Sequence, residues 1–300
     1  MFDTSVHSGA TRFYAKDNGD DTWTVTEMDP VAEITVDDVT TQYPSLQEAV
    51  TAARGIANAT ITIIDDIELN EAILASYTTS VGKVMTIDLN GHTITCTKNF
   101  IGTFGTLHIT DSVGTGVVEY VGNLTESDLT SANPSYGYNF ISLRYWNGTD
   151  CPAGTIYIEG GTIKDESENG HPYSLVGATT GAYSYIYFNG GKIEAQEGHK
   201  AVIENAGKGT FNGTEIIGDV YVNDGTYNFQ DGKIDGTISK GTGTLNFTGG
   251  QYSEDPTSIA SSIPKGYHFE KNEDEFYELV ENANTVEVTV DGVATGYKTF

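Results

Sequence analysis

Basic residues are scarce in this chain. Its 300 residues include 15 Lys and Arg, only three of them Arg, against 42 Asp and Glu, for a formal net charge of −27. So acidic a surface repels phosphate backbones, which argues against nucleic-acid binding. Cysteine is scarcer still. Cys96 and Cys151 are too few and too far apart for a disulfide framework or a cysteine-built metal site. Cys96 continues the alternation that begins at Ile94, so a buried thiol is expected there. No apolar run approaches the length that crosses a membrane as a helix, and Met1–Ala10 lacks signal-peptide anatomy, so membrane insertion is not expected. Few cysteines are compatible with an extracellular bacterial protein. Helical periodicity is also nearly missing, which leaves β structure as the main expectation.

What the chain does have is repetition. One eight-residue phrase, with apolar residues at its first, third and last places and a Gly-containing turn between, occurs five times. The copies are IDLNGHTI (Ile87–Ile94), IYIEGGTI (Ile156–Ile163), IYFNGGKI (Ile186–Ile193), YNFQDGKI (Tyr227–Ile234) and LNFTGGQY (Leu245–Tyr252). A looser copy, Gly209–Ile216, lacks the first apolar residue, and Leu107–Thr110 supplies another strand start. Strand side chains alternate between faces, so each copy turns its apolar residues to one side. A single copy buries too little apolar surface to offset the ordering of its backbone, so copies must stack on a shared core. A phrase returning every 18 to 30 residues therefore predicts an all-β fold, a right-handed parallel β-helix or solenoid. An antiparallel sandwich is the alternative, since Gly-rich turns suit it too.

The open sheet edge at each end of such a stack needs a cover. Ser45 followed by Glu48 forms a capping box, and Leu46, Ala49, Val50 and Ala53 share one helical face, which predicts a capping helix over 45–55 ended by Gly55. Near the other end, Asp255-Pro256 starts a short helix through Ile259. Tyr267–Lys271 and Glu275–Val280 then read as a hairpin.

A longer repeat overlies the short one. Residues 33–46, EITVDDVTTQYPSL, align without a gap to residues 287–300, EVTVDGVATGYKTF, at an offset of 254. The same offset sets Asn18, Asp20, Trp23 and Glu27 against Asn272, Asp274, Tyr277 and Glu281. The expected organisation is a closing hairpin and strand of a preceding unit or linker (1–42), a stacked domain with its helix (43–264), and a hairpin with the start of a next unit (265–300). On this reading the chain is an excerpt of a tandem array. One domain flanked by two similar small modules is the competing organisation.

The run Tyr43–Val50, Ile61–Ile67 and Ile87–Ile94, with the ending Phe247–Ser253 and Gly266-Tyr267, resembles the pectate-lyase-like β-helix repeat units of large adhesin-like bacterial cell-surface proteins. The likeness spans most of residues 43–280 and is architectural. It implies secretion, display on the bacterial surface, tandem arrangement with neighbouring units of the same chain, and binding to glycan or a host surface ligand. The segment Val113–Gly154 departs from the rhythm and is where this unit should differ.

Placing the phrases in register stacks outward residues in two columns, Asp88, Tyr157, Tyr187, Asn228, Asn246 and Asn90, Glu159, Asn189, Gln230, Thr248. Aromatic faces beside amides and carboxylates suit a sugar ring. The candidate ligand-binding residues are Tyr157, Tyr187, Glu159 and Asn189, with Arg144, Tyr145 and Trp146 as a wall. For catalysis, Arg144 is the best lone base or carboxylate clamp, and Glu159, Asp165, Glu166, Glu168 and His171 are the best acidic group. Neither forms a lyase or hydrolase motif, and no catalytic residue is assigned. Asp17–Asp21 resembles a calcium loop but lacks its spaced ligands, so calcium has no motif behind it and no cofactor is expected. Three functions stay open: a non-catalytic binding unit, a structural spacer or fibre segment, and a carbohydrate-active enzyme.

Overall fold

The computed structural model describes residues 13–17, 22–27, 29–74, 83–103, 105–123, 139–143, 154–168, 172, 174–178, 185–204, 207–282, 286–291 and 293–297. The protein is mostly β, with one α-helix among the described residues. Its strands fall into three parallel ladders. The first holds Asn58–Ile63, Val84–Asp88, Thr106–Thr110, Thr155–Ile158, Tyr185–Phe188, the leading parts of Lys208–Ile217 and Thr226–Asp235, and Thr244–Phe247. The second runs from Ile67–Leu69 and Thr93–Cys96 through Val117–Tyr120, Thr162–Asp165 and Lys192–Glu194. It then takes the trailing parts of the same two long strands and ends at Gln251–Tyr252. The third is a seven-stranded sheet from Ile73–Leu74 to Ile238–Lys240. Along the chain the strands visit the first, second and third ladder in turn. Each pairs in parallel with the strand one round before and one round after.

The alternation in the sequence sets what faces inward. One inward place on the first ladder reads Ile61, Ile87, Ile109, Ile158, Phe188, Phe211, Phe229, Phe247. All are buried. The four Phe rings stack at centroid distances of 4.6, 4.4 and 4.5 Å, the spacing of neighbouring strands. The matching place on the second ladder reads Ile67, Ile94, Val118, Ile163, Ile193, Ile216, Ile234, Tyr252. Such fully buried β-branched and aromatic side chains each stabilise by roughly 1.5–3 kcal/mol relative to exposure. Turns between the first and second ladders stack backbone on backbone. Gly191 has φ +71°, and a Cβ there would lie 2.6 Å from the Gly161 carbonyl oxygen, so the turn requires glycine on both conformational and steric grounds.

Antiparallel strands cover one end of the first ladder and the opposite end of the second. At one end Ala32–Val36 pairs with Asn58–Ile63 on one side and Val39–Tyr43 on the other. The helix Leu46–Ala53 packs beneath, burying Leu46, Ala49, Val50 and Ala53, with the Glu48 N–H donating to Ser45 Oγ at 3.3 Å. Ser45 thus caps the helix as expected, supplying the N-cap half of the capping box. The helix ends at Arg54 in right-handed geometry, and Gly55 has no left-handed φ, so no glycine cap is used. At the other end, Tyr267–Lys271 and Tyr277–Glu281 form a hairpin that meets Tyr252 through Tyr277. Asp255 caps a 3₁₀ turn, Pro256–Ser258.

Two sequence readings need correction. The segment Val113–Gly154 is not outside the rhythm: its Val117–Tyr120 pairs in the second ladder and its Asn139–Leu143 in the third. The first phrase is also displaced. Ile87 is aligned through Ile109 with Ile158, not with Ile156, because the turn before Ile94 is two residues longer in that copy. Asp88 and Asn90 therefore leave the columns in which the sequence placed them. Asn90 instead sits in the turn with φ +49°, its side chain donating to the Ile63 carbonyl at 2.9 Å.

Candidate functional site

Strands of the first ladder turn one place outward in the order Thr60, Thr86, His108, Tyr157, Tyr187, Thr210, Asn228, Asn246. Parallel pairing without offset puts successive side chains one strand spacing apart, so aromatic neighbours stack. Tyr157 and Tyr187 lie 4.7 Å apart between centroids, 9° from coplanar. His108 continues the file at 4.3 Å and 12° from Tyr157. The sequence marked both tyrosines but passed over His108, although Leu107–Thr110 was recognised as a strand start. The displaced register of the first phrase hid it.

Glu159 lies just after the Tyr157 strand and reaches back along the ladder to His108, Oε2 to Nδ1 at 2.8 Å. The pair is part-exposed, with side chains 24% and 33% accessible. Partial burial, then Tyr187, then the Glu159 charge push the Tyr157 phenol above the ordinary tyrosine range. Asn189 occupies the same place one round on from Glu159 and is exposed. Beyond Tyr187 the file turns polar. Asn246 donates to Asn228 at 3.1 Å, and Ser262 donates to Asn246 at 2.7 Å.

This geometry changes which ring surfaces are available. The faces between His108, Tyr157 and Tyr187 are covered by one another, so those rings present edges and polar tips to solvent. The flat face on the far side of Tyr187 is next to Thr210, which is too short to cover a phenol. That face has Asn189 two residues along its own chain segment and Asn228 two strand spacings away across Thr210, which together outline a shelf.

The remaining expected residues are not gathered there. Arg144, Tyr145 and Trp146 lie outside the described residues, as do His171 and Cys151. The acidic group is divided. Asp165 is buried, accepts from the Ser167 N–H at 3.0 Å and the Ser167 hydroxyl at 2.5 Å, and lies 3.4 Å from His199. Glu166 points outward to Lys164 at 2.8 Å, and Lys164 also reaches Glu119 at 3.1 Å. Of the Asp17–Asp21 run, only Asp17 is described. Among the described residues no cluster of three His, Cys, Asp or Glu is placed to hold a metal ion. No helix among the described residues is long and apolar enough to cross a membrane.

One feature had no signal in the sequence. A shallow groove of about 740 Å³ runs between the stacked Gly213, Gly232 and Gly250 turns and the closing hairpin, with Asp231, Tyr267 and Glu278 on its rim. Its rim residues come from segments far apart in the chain, which explains why no local motif marks it. Compared with protein-family models, curated proteins and solved structures, the chain matches none.

Proposed function

We propose that this chain is a right-handed parallel β-helix serving as a non-catalytic, adhesin-like unit of a tandem-repeat protein on the bacterial cell surface, and that it binds glycan. The ladder order and offset-free parallel pairing support the solenoid, the hand following the usual crossover rule. The observation that carries the binding reading is the ring file ending at Tyr187 beside Asn189. A sugar presents C–H bonds on one side and hydroxyls around its rim. A phenol face takes the first, and the amides of Asn189 and Asn228 take the second. Glu159, held by His108, keeps Tyr157 pressed against Tyr187 and so stiffens the shelf. The net acidic surface favours neutral or cationic saccharides over polyuronates.

A glycan array followed by calorimetry tests this. Tyr187→Ala should abolish binding of any saccharide that scores, and Tyr157→Ala should weaken it through loss of support, with the fold retained in both. Saturable binding unaffected by the double substitution moves the site elsewhere. No binding to any glycan leaves the spacer reading. Release of reducing ends or unsaturated products from the same polysaccharides would overturn both in favour of an enzyme.

A further inference from the structure

Two hairpins occur twice in this chain, and the copies agree pair for pair. Phe13 faces Glu27 and Asp17 faces Trp23, as Tyr267 faces Glu281 and Lys271 faces Tyr277. Ala32 faces Tyr43 and Val36 faces Val39, as Val286 faces Tyr297 and Val290 faces Val293. The second pair also shares a left-handed Asp at the turn, Asp37 at φ 50° and Asp291 at φ 51°. In both, the valines beside that turn are exposed. The displacement is that of the sequence repeat, so the copies share one backbone design.

Only one copy of each hairpin is used by the ladders. Ala32–Val36 is seated on Asn58–Ile63, and Tyr277–Glu281 meets Tyr252. The copies Phe13–Glu27 and Val286–Tyr297 each form a two-stranded sheet of their own among the described residues. The seated copy says what the other fits. Ala32, Glu33 and Ile34 pair antiparallel with Ile63, Thr62 and Ile61, and Ala32 and Ile34 are buried by it. At the same places the second copy carries Val286, Glu287 and Val288, which keeps the apolar–Glu–apolar order. A hairpin edge with free N–H and C=O groups binds by strand addition, and alternate side chains select the partner.

We infer that the hairpin Val286–Tyr297 is a docking edge for the first strand of another parallel ladder, an alternating strand of the Asn58–Ile63 kind, which it covers by antiparallel addition. This deepens the tandem-unit reading and rests on it. Residues 267–297 are then one junction, its first hairpin closing the ladder behind and its second opening the ladder ahead. Within a solution of this chain alone, the available partner is the Asn58–Ile63 strand of a second copy. That strand is shielded by its own hairpin, which is tethered nearby and therefore wins at ordinary concentrations.

Cysteine trapping in the full chain tests the inference. Directly opposed residues in an antiparallel pair are within disulfide reach, so Glu33→Cys/Thr62→Cys should close within one molecule and serves as the positive control. The pair Thr62→Cys/Glu287→Cys should yield little intermolecular disulfide, and adding Ile34→Asp, which unseats the resident hairpin, should raise it at least tenfold. Val288→Asp should then remove the gain. A chain with Ile34→Asp that keeps its β circular dichroism yet shows no rise overturns the docking edge. Should Ile34→Asp unfold, the Thr62→Cys/Glu287→Cys chain alone decides. Intermolecular product that grows with protein concentration supports the edge, and none at the highest soluble concentration overturns it. Glycan binding is read separately, so failure of either proposal leaves the other standing.

Discussion

The ring of Tyr227 fills the space that a side chain at Gly209 would occupy. The two are partners in the first ladder, and a Cβ on Gly209 would overlap the ring edge. This explains why the loose copy of the phrase lacks its first apolar residue: the next round supplies the volume. Gly209→Ala should therefore destabilise the fold by about 1–3 kcal/mol through overpacking. Urea unfolding checks the loss. Tyr227→Leu in the same chain should recover part of it, and a strictly additive double-mutant cycle would refute the contact.

Phe229 is stacked between Phe211 and Phe247 and fully buried. Phe229→Ala leaves a cavity that the flanking rings, themselves held by ladder hydrogen bonds, cannot close. The expected cost is about 3–5 kcal/mol, against under about 1.5 kcal/mol for Phe229→Leu. Denaturant midpoints at constant m-value measure both.

Alkali should weaken the fold. Burial pushes the Cys96 thiol and the Tyr252 phenol upward, with smaller contributions from Glu119 and Asp231 respectively. Each group is neutral in the folded state while its unfolded counterpart ionises. Its contribution is thus complete below the unfolded pKa, about 8.5 for Cys and about 10 for Tyr, and falls as pH rises beyond it. The slope per group is about 1.4 kcal/mol per pH unit. Cys96→Ala should remove the fall that begins near the lower value, leaving the Tyr252 step in pH-dependent urea melts.

Tyr157 should ionise later than an exposed tyrosine in an ultraviolet titration, and Glu159→Gln should bring it down by removing one of the three causes. Tyr157→Phe should remove one late-ionising phenol from the titration and leave that of Tyr252. A titration indistinguishable between the parent and Tyr157→Phe chains would contradict the stacked arrangement.

Much of this was legible in the sequence where the chain repeats itself without error. The alternation at Ile156–Ile158 and Ile186–Phe188 set Tyr157 against Tyr187, and the capping box at Ser45 set the helix. Legibility failed where turn length changed. The longer turn after Ile87 preserves the inward face, because it shifts the phrase by two, so hydrophobicity alone cannot detect it. His108 was lost for that reason. The strands Val117–Tyr120 and Asn139–Leu143 were hidden because the round that holds them, from Thr106 to its partner Thr155, is longer in sequence than its neighbours, which breaks the apparent period without breaking the ladders. Asp165 stands in the sequence among the acidic candidates Glu159 to His171, but its place opposite Tyr120 turns it inward, where Ser167 and His199 surround it.

In the last rounds Lys208, Thr226 and Thr244 occupy one place of the first ladder, as Asn228 and Asn246 do at a separation of 18 residues. Length is quantised there. A gene that gains or loses that increment leaves the phenylalanine file, the turn glycines and both closing hairpins in phase, whereas a single residue inserted inside a strand turns the rest of that strand inside out. In heredity the molecule can grow or shorten there by whole steps, each of which arrives already compatible with its neighbours.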